Sequence, residues 1–406
     1  MSAILFGGEL LWTSASASAA DMDFRPSLSI SEEFNDNIFE VSANRRSEMI
    51  TRVQPGATFR YQTPLWIWNT SYNFDYINYA RNSRDSEFNH NGSLSGNITL
   101  PGNFLFIDLS DTYHRVTTDV SRDVATSSSL FLNQTDQNIA TISPYLLWRL
   151  RGDNTLRTGY RFTDTRYWGP GVESREQGAF ADLNHEISNK FSISAGYAFT
   201  HLESQPSQYN KHDISGGFRY EYAERSFVFG QIGNTWQQFN GSTDVSYLFW
   251  NAGITHDLGL AVATLETRVQ TAVDPLSVST KETSYSGRLE RTLQYGMVGF
   301  ATSYTEYLNI QTDKMDRRKL SFSGTGRYEI LQHLTANLGV TAERFYFNTG
   351  TGFLYHLNAT GGLSYTFKHD ITLGLNYTFD TQRNDINTAS GAIETNRVVV
   401  EVRKTF

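Results

Sequence analysis

The most constraining feature of this sequence is a strict two-residue alternation of apolar and polar side chains near its C-terminus. From Ile371 to Phe379 the odd positions are Ile, Leu, Leu, Tyr and Phe, and the even positions between them are Thr, Gly, Asn and Thr. The segments 334–341 and 355–367 alternate in the same way. A period of two places alternate side chains on opposite faces of a β-strand. Each segment therefore predicts a strand with one apolar and one polar face.

The length of these runs favours a membrane protein. Strands of soluble sheets are most often about five or six residues long, whereas tilted strands of about nine to eleven residues cross a bilayer. Aromatic residues make up 14% of the chain and charged residues only 19%. No apolar run approaches the roughly 18 residues of a spanning helix, and the aromatic residues are spread over the whole length, which excludes disorder. We therefore predict an all-β transmembrane barrel of the bacterial outer membrane.

Short turn signals divide the chain into hairpins. They lie at Pro64, Pro101-Gly102-Asn103, Gly152-Asp153-Asn154, Asn189-Lys190, Glu224-Arg225, near Gly259, near Gly296, Gln332-His333 and His369-Asp370. Longer polar stretches lie between them, at 35–47, 81–87, 169–174, 274–282 and 385–394. Nine short turns between two periplasmic termini imply about twenty antiparallel strands in up-and-down order, with short periplasmic turns and longer extracellular loops. Eighteen strands is the alternative, since the first hairpin has the weakest pattern.

The N-terminal residues have some features of a secretion signal. A short apolar run is followed by the small residues 15–20, which predicts a signal peptide over 1–20 and a barrel domain over 21–406. No Lys or Arg precedes the run and Glu9 interrupts it, so an unstructured or misassigned start is the alternative. The absence of cysteine fits a chain that crosses an oxidising periplasm.

Charge and motif content exclude several functions. The chain has 34 Lys and Arg against 42 Asp and Glu, a formal charge of −8, which argues against a nucleic-acid partner. Its nine histidines are scattered over different hairpins without metal-ligand spacing. We find no Gly-rich phosphate loop and no catalytic motif, so we predict neither an enzyme nor a bound metal or cofactor.

Tryptophans lie near the predicted strand ends. Indole side chains favour the lipid headgroup level, so these residues predict two outward-facing aromatic girdles. The girdle residues are Trp66, Trp68 and Trp148 beside short turns, and Trp168 and Trp236 beside long loops.

The last predicted strand has the features of an assembly signal. Val398, Val400 and Val402 alternate with polar residues, and the chain ends at Phe406. This strand looks like the signal read by the barrel assembly machinery, although Lys404 stands where an apolar residue is commoner and could reach the headgroups. Outer-membrane lipid, lipopolysaccharide and this machinery are therefore expected partners.

Charged residues follow the polar phase of the predicted strands. A charge facing lipid near the midplane costs roughly 2–4 kcal/mol, so these residues are candidates for the pore lining. They serve either as cross-strand pairs that stiffen the wall or as a selectivity device. The candidates are Arg52, Arg60, Asp75, Arg157, Arg161, Asp182, Asp213, Arg219, Glu221, Glu266, Arg268, Arg288, Glu290, Arg327, Glu329, Glu343 and Asp380.

The longest predicted insertion, 117–135, contains the apolar run Leu130-Phe131-Leu132. We predict that it folds over or into the mouth and narrows the pore, the alternative being a disordered cap.

Two N-terminal segments carry a resemblance to a known family. Residues 28–39, LSISEEFNDNIF, and 50–56, ITRVQPG, resemble the start of a β-barrel porin family of Gram-negative bacteria. Within it the chain is most similar to the barrels associated with exopolysaccharide and exosortase (PEP-CTERM) loci. The resemblance implies a secretion or diffusion pore without catalytic residues, and export would require a separate periplasmic polysaccharide export protein.

A barrel above about sixteen strands leaves an aqueous channel unless it is plugged, and we expect nearly all residues after 20 to form the wall. With the resemblance, this predicts a channel for exopolysaccharide secretion. A general solute-uptake porin is the alternative, and an outer-membrane hydrolase or adhesin is a distant third.

Overall fold

The computed structural model describes residues 20–117, 134–150, 153–205, 208–241, 243–273, 279–348, 354–384 and 391–406. Within them the chain forms twenty β-strands and one short 3-10 helix, Lys368–Asp370. No helix of these residues is long and apolar enough to cross a membrane. The strands are β1 (Asp21–Asn35), β2 (Glu48–Gln62), β3 (Trp66–Tyr79), β4 (Glu87–Thr99), β5 (Leu105–Thr117), β6 (Gln134–Arg149), β7 (Asn154–Trp168), β8 (Ser174–Ser188), β9 (Phe191–Ser204), β10 (Tyr209–Ala223), β11 (Ser226–Phe239), β12 (Val245–Asp257), β13 (Val262–Val273), β14 (Ser279–Leu293), β15 (Gly296–Asn309), β16 (Lys314–Leu331), β17 (Leu334–Phe347), β18 (Tyr355–Thr366), β19 (Ile371–Arg383) and β20 (Ile393–Thr405).

The strands form one closed antiparallel barrel with up-and-down connectivity. Each strand pairs with its neighbours in the chain, and β1 pairs with both β2 and β20. The seam between β1 and β20 joins Ser27–Asn35 to Arg397–Thr405, whereas β1 pairs with β2 over its full length. This confirms the predicted fold class, and the strand number is twenty rather than eighteen.

The nine predicted short turns all connect consecutive strands at one end of the barrel. Arg225 and His333, in two-residue turns, have φ of 52° and 71°. Tight hairpin turns require this left-handed region because its twist matches that of the flanking strands. The opposite end carries the longer loops, so β1 begins and β20 ends on the short-turn side.

The register places the apolar positions on one continuous face. Directly opposed residues of an antiparallel pair have side chains on the same face. Leu373 lies opposite Val402, and Val402 lies opposite Ile30, so the apolar face continues across the seam. Its side chains project into open space, as Phe300 at 63% and Leu338 at 62% exposure illustrate. The apolar face is therefore the outer face, and the polar face lines the interior.

The dimensions of the wall follow from its strands. Twenty strands spaced by about 4.8 Å and tilted by about 40° close into a ring roughly 40 Å across between opposite backbones. A strand of 14 residues, such as β3, rises about 36 Å along the axis, more than the apolar band of about 25 Å. The strand ends therefore extend beyond the hydrocarbon layer.

Several predictions fall on residues that the structure does not describe, among them Gly152 of one predicted turn and 274–278 and 385–390 of two predicted polar stretches. Residues 1–19 of the predicted signal peptide lie outside the described chain, as do 118–133 of the loop predicted to narrow the pore.

Candidate functional site: the inner face of the barrel

Every predicted pore-lining residue lies at a position of the polar, inner face. The cross-strand register places these positions on one face that continues around the whole barrel. The residues are Arg52, Arg60, Asp75, Arg157, Arg161, Asp182, Asp213, Arg219, Glu221, Glu266, Arg268, Arg288, Glu290, Arg327, Glu329, Glu343 and Asp380. Their part in the passage of a solute stays a prediction.

A buried ion cluster lies on the inner face of β1–β3. Arg52 Nη2 is 3.4 Å from Glu33 Oε2, and Arg52 Nη1 is 3.8 Å from Asp75 Oδ2. The three side chains are 11%, 3% and 9% exposed. Charges so far removed from water persist only when they are paired. The cluster therefore cross-links three strands of the wall.

A small apolar core lies on the inner face of the same strands, at their long-loop end. Ile50, Ile77 and Tyr79 lie on the inner face of β2 and β3, and Ile38 of loop 36–47 packs against them. We call these four residues the rim core; each is 3% exposed or less. Since Ile38 contacts inward-facing side chains, loop 36–47 lies inside the mouth of the barrel.

Hydrogen bonds fix the loops beside the rim core. In loop 36–47, the Asn37 side-chain amide donates to the carbonyl oxygens of Val41 and Glu394, both at 2.8 Å. The Glu48 carboxylate accepts from the backbone N–H groups of Arg81 at 2.7 Å and Ser83 at 3.0 Å. One buried carboxylate thus holds the loop between β3 and β4. The sequence predicted polar loops at both places but not this packing.

A second inner cluster joins β17, β18 and β19. His356 Nδ1 is 3.1 Å from Glu343 Oε2, and His356 Nε2 is 2.8 Å from Asp380 Oδ2. Lys319 Nζ approaches Glu343 Oε1 at 3.6 Å. These contacts run across strands and stiffen the wall. Within the described residues, no group of three or more His, Cys, Asp or Glu side chains is arranged to hold a metal ion.

Aromatic side chains on the inner face were missed by sequence reasoning. The Arg157 guanidinium lies 4.2 Å from the centre of the Tyr145 ring and 5.0 Å from that of Phe180. On β10 and β11, Arg219 lies 3.6 Å above the Phe227 ring. Such stacking leaves the guanidinium edges open to hydrogen bonding. The signal was present, because these aromatics occupy the polar phase of their strands.

The outer face of β5–β7 carries polar groups that the sequence analysis did not anticipate. Asp111 lies opposite Leu94 and accepts a hydrogen bond from the Asn138 amide at 2.7 Å. Arg166 Nε lies 2.7 Å from Asp164 Oδ2 on the same face. Pairing lowers the cost of such groups near lipid.

The predicted girdle residues lie on the outer face at the two ends of the wall. Trp66 and Trp148, near short turns, are 48% and 39% exposed, and Trp68 shares their face. Trp168 and Trp236, near the longer loops, are 57% and 46% exposed. Their depth in a membrane stays a prediction.

Phe406 follows β20 at the seam. Its backbone N–H donates to the carbonyl oxygen of Pro26 at 2.9 Å, while its side chain is 68% exposed. Lys404 lies opposite the outward-facing Ile371 and contacts the carbonyl oxygen of His369. The role of Phe406 as an assembly signal is not tested by this geometry.

No family model matches the chain, and no curated protein matches it in sequence. Among solved structures, the barrel is similar to the FrpB iron transporter from Neisseria meningitidis (F5-1 variant), with a TM-score of 0.57 and 10% identity over 95% of this chain and 83% of that chain. A variant of the ferric enterobactin receptor PfeA from Pseudomonas aeruginosa, in complex with enterobactin, gives a TM-score of 0.56 and 8% identity over 95% and 81%. At these identities the likeness concerns the fold.

The closed barrel and its apolar outer face make this chain a bacterial outer-membrane β-barrel. The names of the structural neighbours describe an iron transporter and a ferric enterobactin receptor. Neither comparison supports the association with exopolysaccharide loci that the resemblance implies.

Proposed function

We propose that this protein is an outer-membrane pore for the entry of small polar solutes. The observation that carries the proposal is the continuous polar inner face of a closed ring of twenty strands. With about 40 Å between opposite backbones, side chains that extend about 6 Å from each wall leave a wide aqueous space. Loop 36–47 reduces this space at the outer mouth.

The charges of the inner face favour solutes of low net charge. Eight of the seventeen candidate pore-lining residues are arginines and nine are carboxylates, and some of them are paired, such as Arg288 with Glu290 at 3.5 Å. Paired opposite charges exert little net field on a passing ion. We expect weak ion selectivity and passage governed mainly by size.

Uptake agrees better with the comparisons than export does. The names of the structural neighbours describe an iron transporter and a ferric enterobactin receptor. The export of an exopolysaccharide, with a separate periplasmic partner, rests on the resemblance of residues 28–39 and 50–56 alone. We therefore favour solute uptake.

Reconstitution of the purified full-length chain tests the proposal. Liposomes that contain it should swell in isotonic solutions of small sugars and amino acids, at rates that fall as solute size increases. Planar bilayers should show stable conductance steps with weak preference between potassium and chloride. Liposomes that hold correctly folded protein but do not swell, and bilayers without steps, would refute the pore. In a deletion strain, reduced surface polysaccharide with unchanged solute uptake would favour export instead.

A further inference from the structure

We propose that a cavity in the inner wall of β5–β8 binds one small neutral sugar, a monosaccharide or a disaccharide. The cavity has a volume of about 450 Å³ and is lined by side chains of these four consecutive strands. This volume falls within the range of known small-molecule sites. The inference rests on the proposed pore, because a solute reaches this wall only through the lumen. We call this cavity of β5–β8 the sugar cavity.

A buried hydroxyl group points to a ligand. Ser143 lines the sugar cavity and is 3% exposed, yet its Oγ has no hydrogen-bond partner among the described residues. A buried polar atom without a partner is unfavourable. A hydroxyl group of a bound sugar would supply the missing partner. Next to it, Thr141 and Thr163 present a hydroxyl pair 3.1 Å apart.

The charged groups of the sugar cavity are also available to a ligand. Arg161 and Glu176 both line it, and neither forms an ion pair with another described residue. Asp108, the third charged group, accepts a hydrogen bond from the Asn97 amide at 2.6 Å and lies 3.9 Å from Arg157. Carboxylates accept from sugar hydroxyls, and a guanidinium donates to them.

This charge balance argues for a neutral ligand. Asp108 has the Arg157 guanidinium 3.9 Å away, and Arg161 and Glu176 carry one opposite charge each, so the cavity and its border have no net charge. Such a site gives neither an anion nor a cation a net electrostatic attraction. A polyol uses both kinds of group without carrying charge itself. The hydroxyl lining is consistent with that choice.

Aromatic rings border the sugar cavity on its short-turn side. Tyr145 follows Ser143 on the same face of β6, and Phe106 stacks on Tyr145 with 5.1 Å between ring centres. Phe180 lies across Gly159 on the next strand pair. The Tyr145 ring is already covered by Phe106 and by the Arg157 guanidinium, 4.2 Å from its centre. The proposal therefore rests on the polar groups of the sugar cavity, and the rings only border it.

Sugar block of single channels measures the interaction. We would record the current of the full-length protein in planar bilayers while maltose is added, and compare the wild type with the double variant Arg161→Gln/Glu176→Gln. We expect the maltose affinity of this variant to fall at least about tenfold, because two hydrogen bonds to charged groups are lost. Ser143→Ala should weaken binding about threefold to tenfold.

The double variant Glu401→Gln/Arg403→Gln is the matched control. It removes the same two charges from the inner face of β20, where the side chains pair at 3.0 Å far from the sugar cavity. Its maltose affinity should stay within about twofold of the wild type. Heat-modifiable migration in detergent gels verifies that each variant is folded.

The outcomes separate this inference from the proposed pore. Steady conductance with no maltose block beyond that caused by lower solution conductivity would overturn the sugar cavity and leave the pore intact. Equal weakening in both double variants would also overturn it, and so would stronger block by glycine than by maltose. If no conductance is seen, the proposed function fails. Calorimetric titration of maltose into the detergent-solubilised wild type and the Arg161→Gln/Glu176→Gln variant then decides the inference: binding that the variant loses supports it, and absence of binding overturns it.

Discussion

Truncation of Ile38 to alanine tests whether loop 36–47 is held inside the mouth of the barrel. Ile38 is 3% exposed and packs in the rim core against Ile50, Ile77 and Tyr79. The backbone N–H of Ile38 also donates to the carbonyl oxygen of Arg46 at 2.9 Å. The variant removes the apolar contact and keeps this hydrogen bond.

The expected magnitude follows from the size of the rim core. Truncation of a buried isoleucine to alanine lowers stability by about 2 to 5 kcal/mol. We expect the lower end, about 2 kcal/mol, because four side chains at the rim leave water close to the space that the truncation creates. That change raises the population of the undocked loop about 30-fold. The rest of the barrel should not unfold, because the opening is local.

Amide hydrogen exchange measures this population. The protection of the Ile38 amide should fall about 30-fold in Ile38→Ala, and single-channel conductance should rise because the mouth is wider. Val41→Ala is the matched control, since Val41 lies in the same loop but is 36% exposed. Its exchange should resemble that of the wild type. Equal protection of the Ile38 amide in Ile38→Ala and wild type would refute the docking of the loop.

Three further perturbations address other parts of the molecule. Glu48→Ala removes the acceptor of backbone N–H groups in the loop between β3 and β4, so trypsin should cleave after Arg81 faster than in the wild type, with Glu48→Gln in between; unchanged cleavage would contradict the anchor. Arg52→Met removes a guanidinium that pairs with both buried carboxylates, Glu33 and Asp75. It should lower the free energy of unfolding by about 3–5 kcal/mol, measured by urea titration in lipid vesicles, and a loss below about 1 kcal/mol would contradict a buried cluster. Trp168 is expected at the headgroup level, whereas Trp250 lies nearer the middle of its strand. In single-Trp variants, lipids brominated deep in their acyl chains should therefore quench the fluorescence of Trp168 less than that of Trp250. The reverse order would refute the girdle.

The alternation and the turn signals predicted the fold well for a physical reason. Within a strand of the wall, an odd or even position decides which face a side chain occupies, as in the run from Ile371 to Phe379. Hairpin turns are also local, because two or three residues such as Gln332-His333 determine them. Closure of the barrel then follows from the strand number and the two-sided pattern.

The rim core and the sugar cavity could not be predicted from the alternation of the sequence. Apolar Ile50 and Ile77 occupy the inner face, where they pack with Tyr79 and with Ile38 of the docked loop 36–47. The unpartnered state of Ser143 depends on which side chains four strands bring together. Parity assigns a residue to a face but gives neither its neighbours across strands nor the packing of a loop, because these depend on register and tertiary contacts.

The seam has a consequence for the order of folding. It joins β1 to β20, and beside it Asp36 accepts hydrogen bonds from Asn396, 360 positions away. Contacts of such long sequence separation have a high loop-closure entropy and form late. Until they form, β1 and β20 both present unpaired backbone groups, which cannot be solvated in hydrocarbon. A barrel built in this order stays open on one side while nineteen strand pairs are in place. Membrane insertion and ring closure are therefore coupled. A covalent link that prevents β1 from pairing with β20 should trap a nearly complete but open sheet.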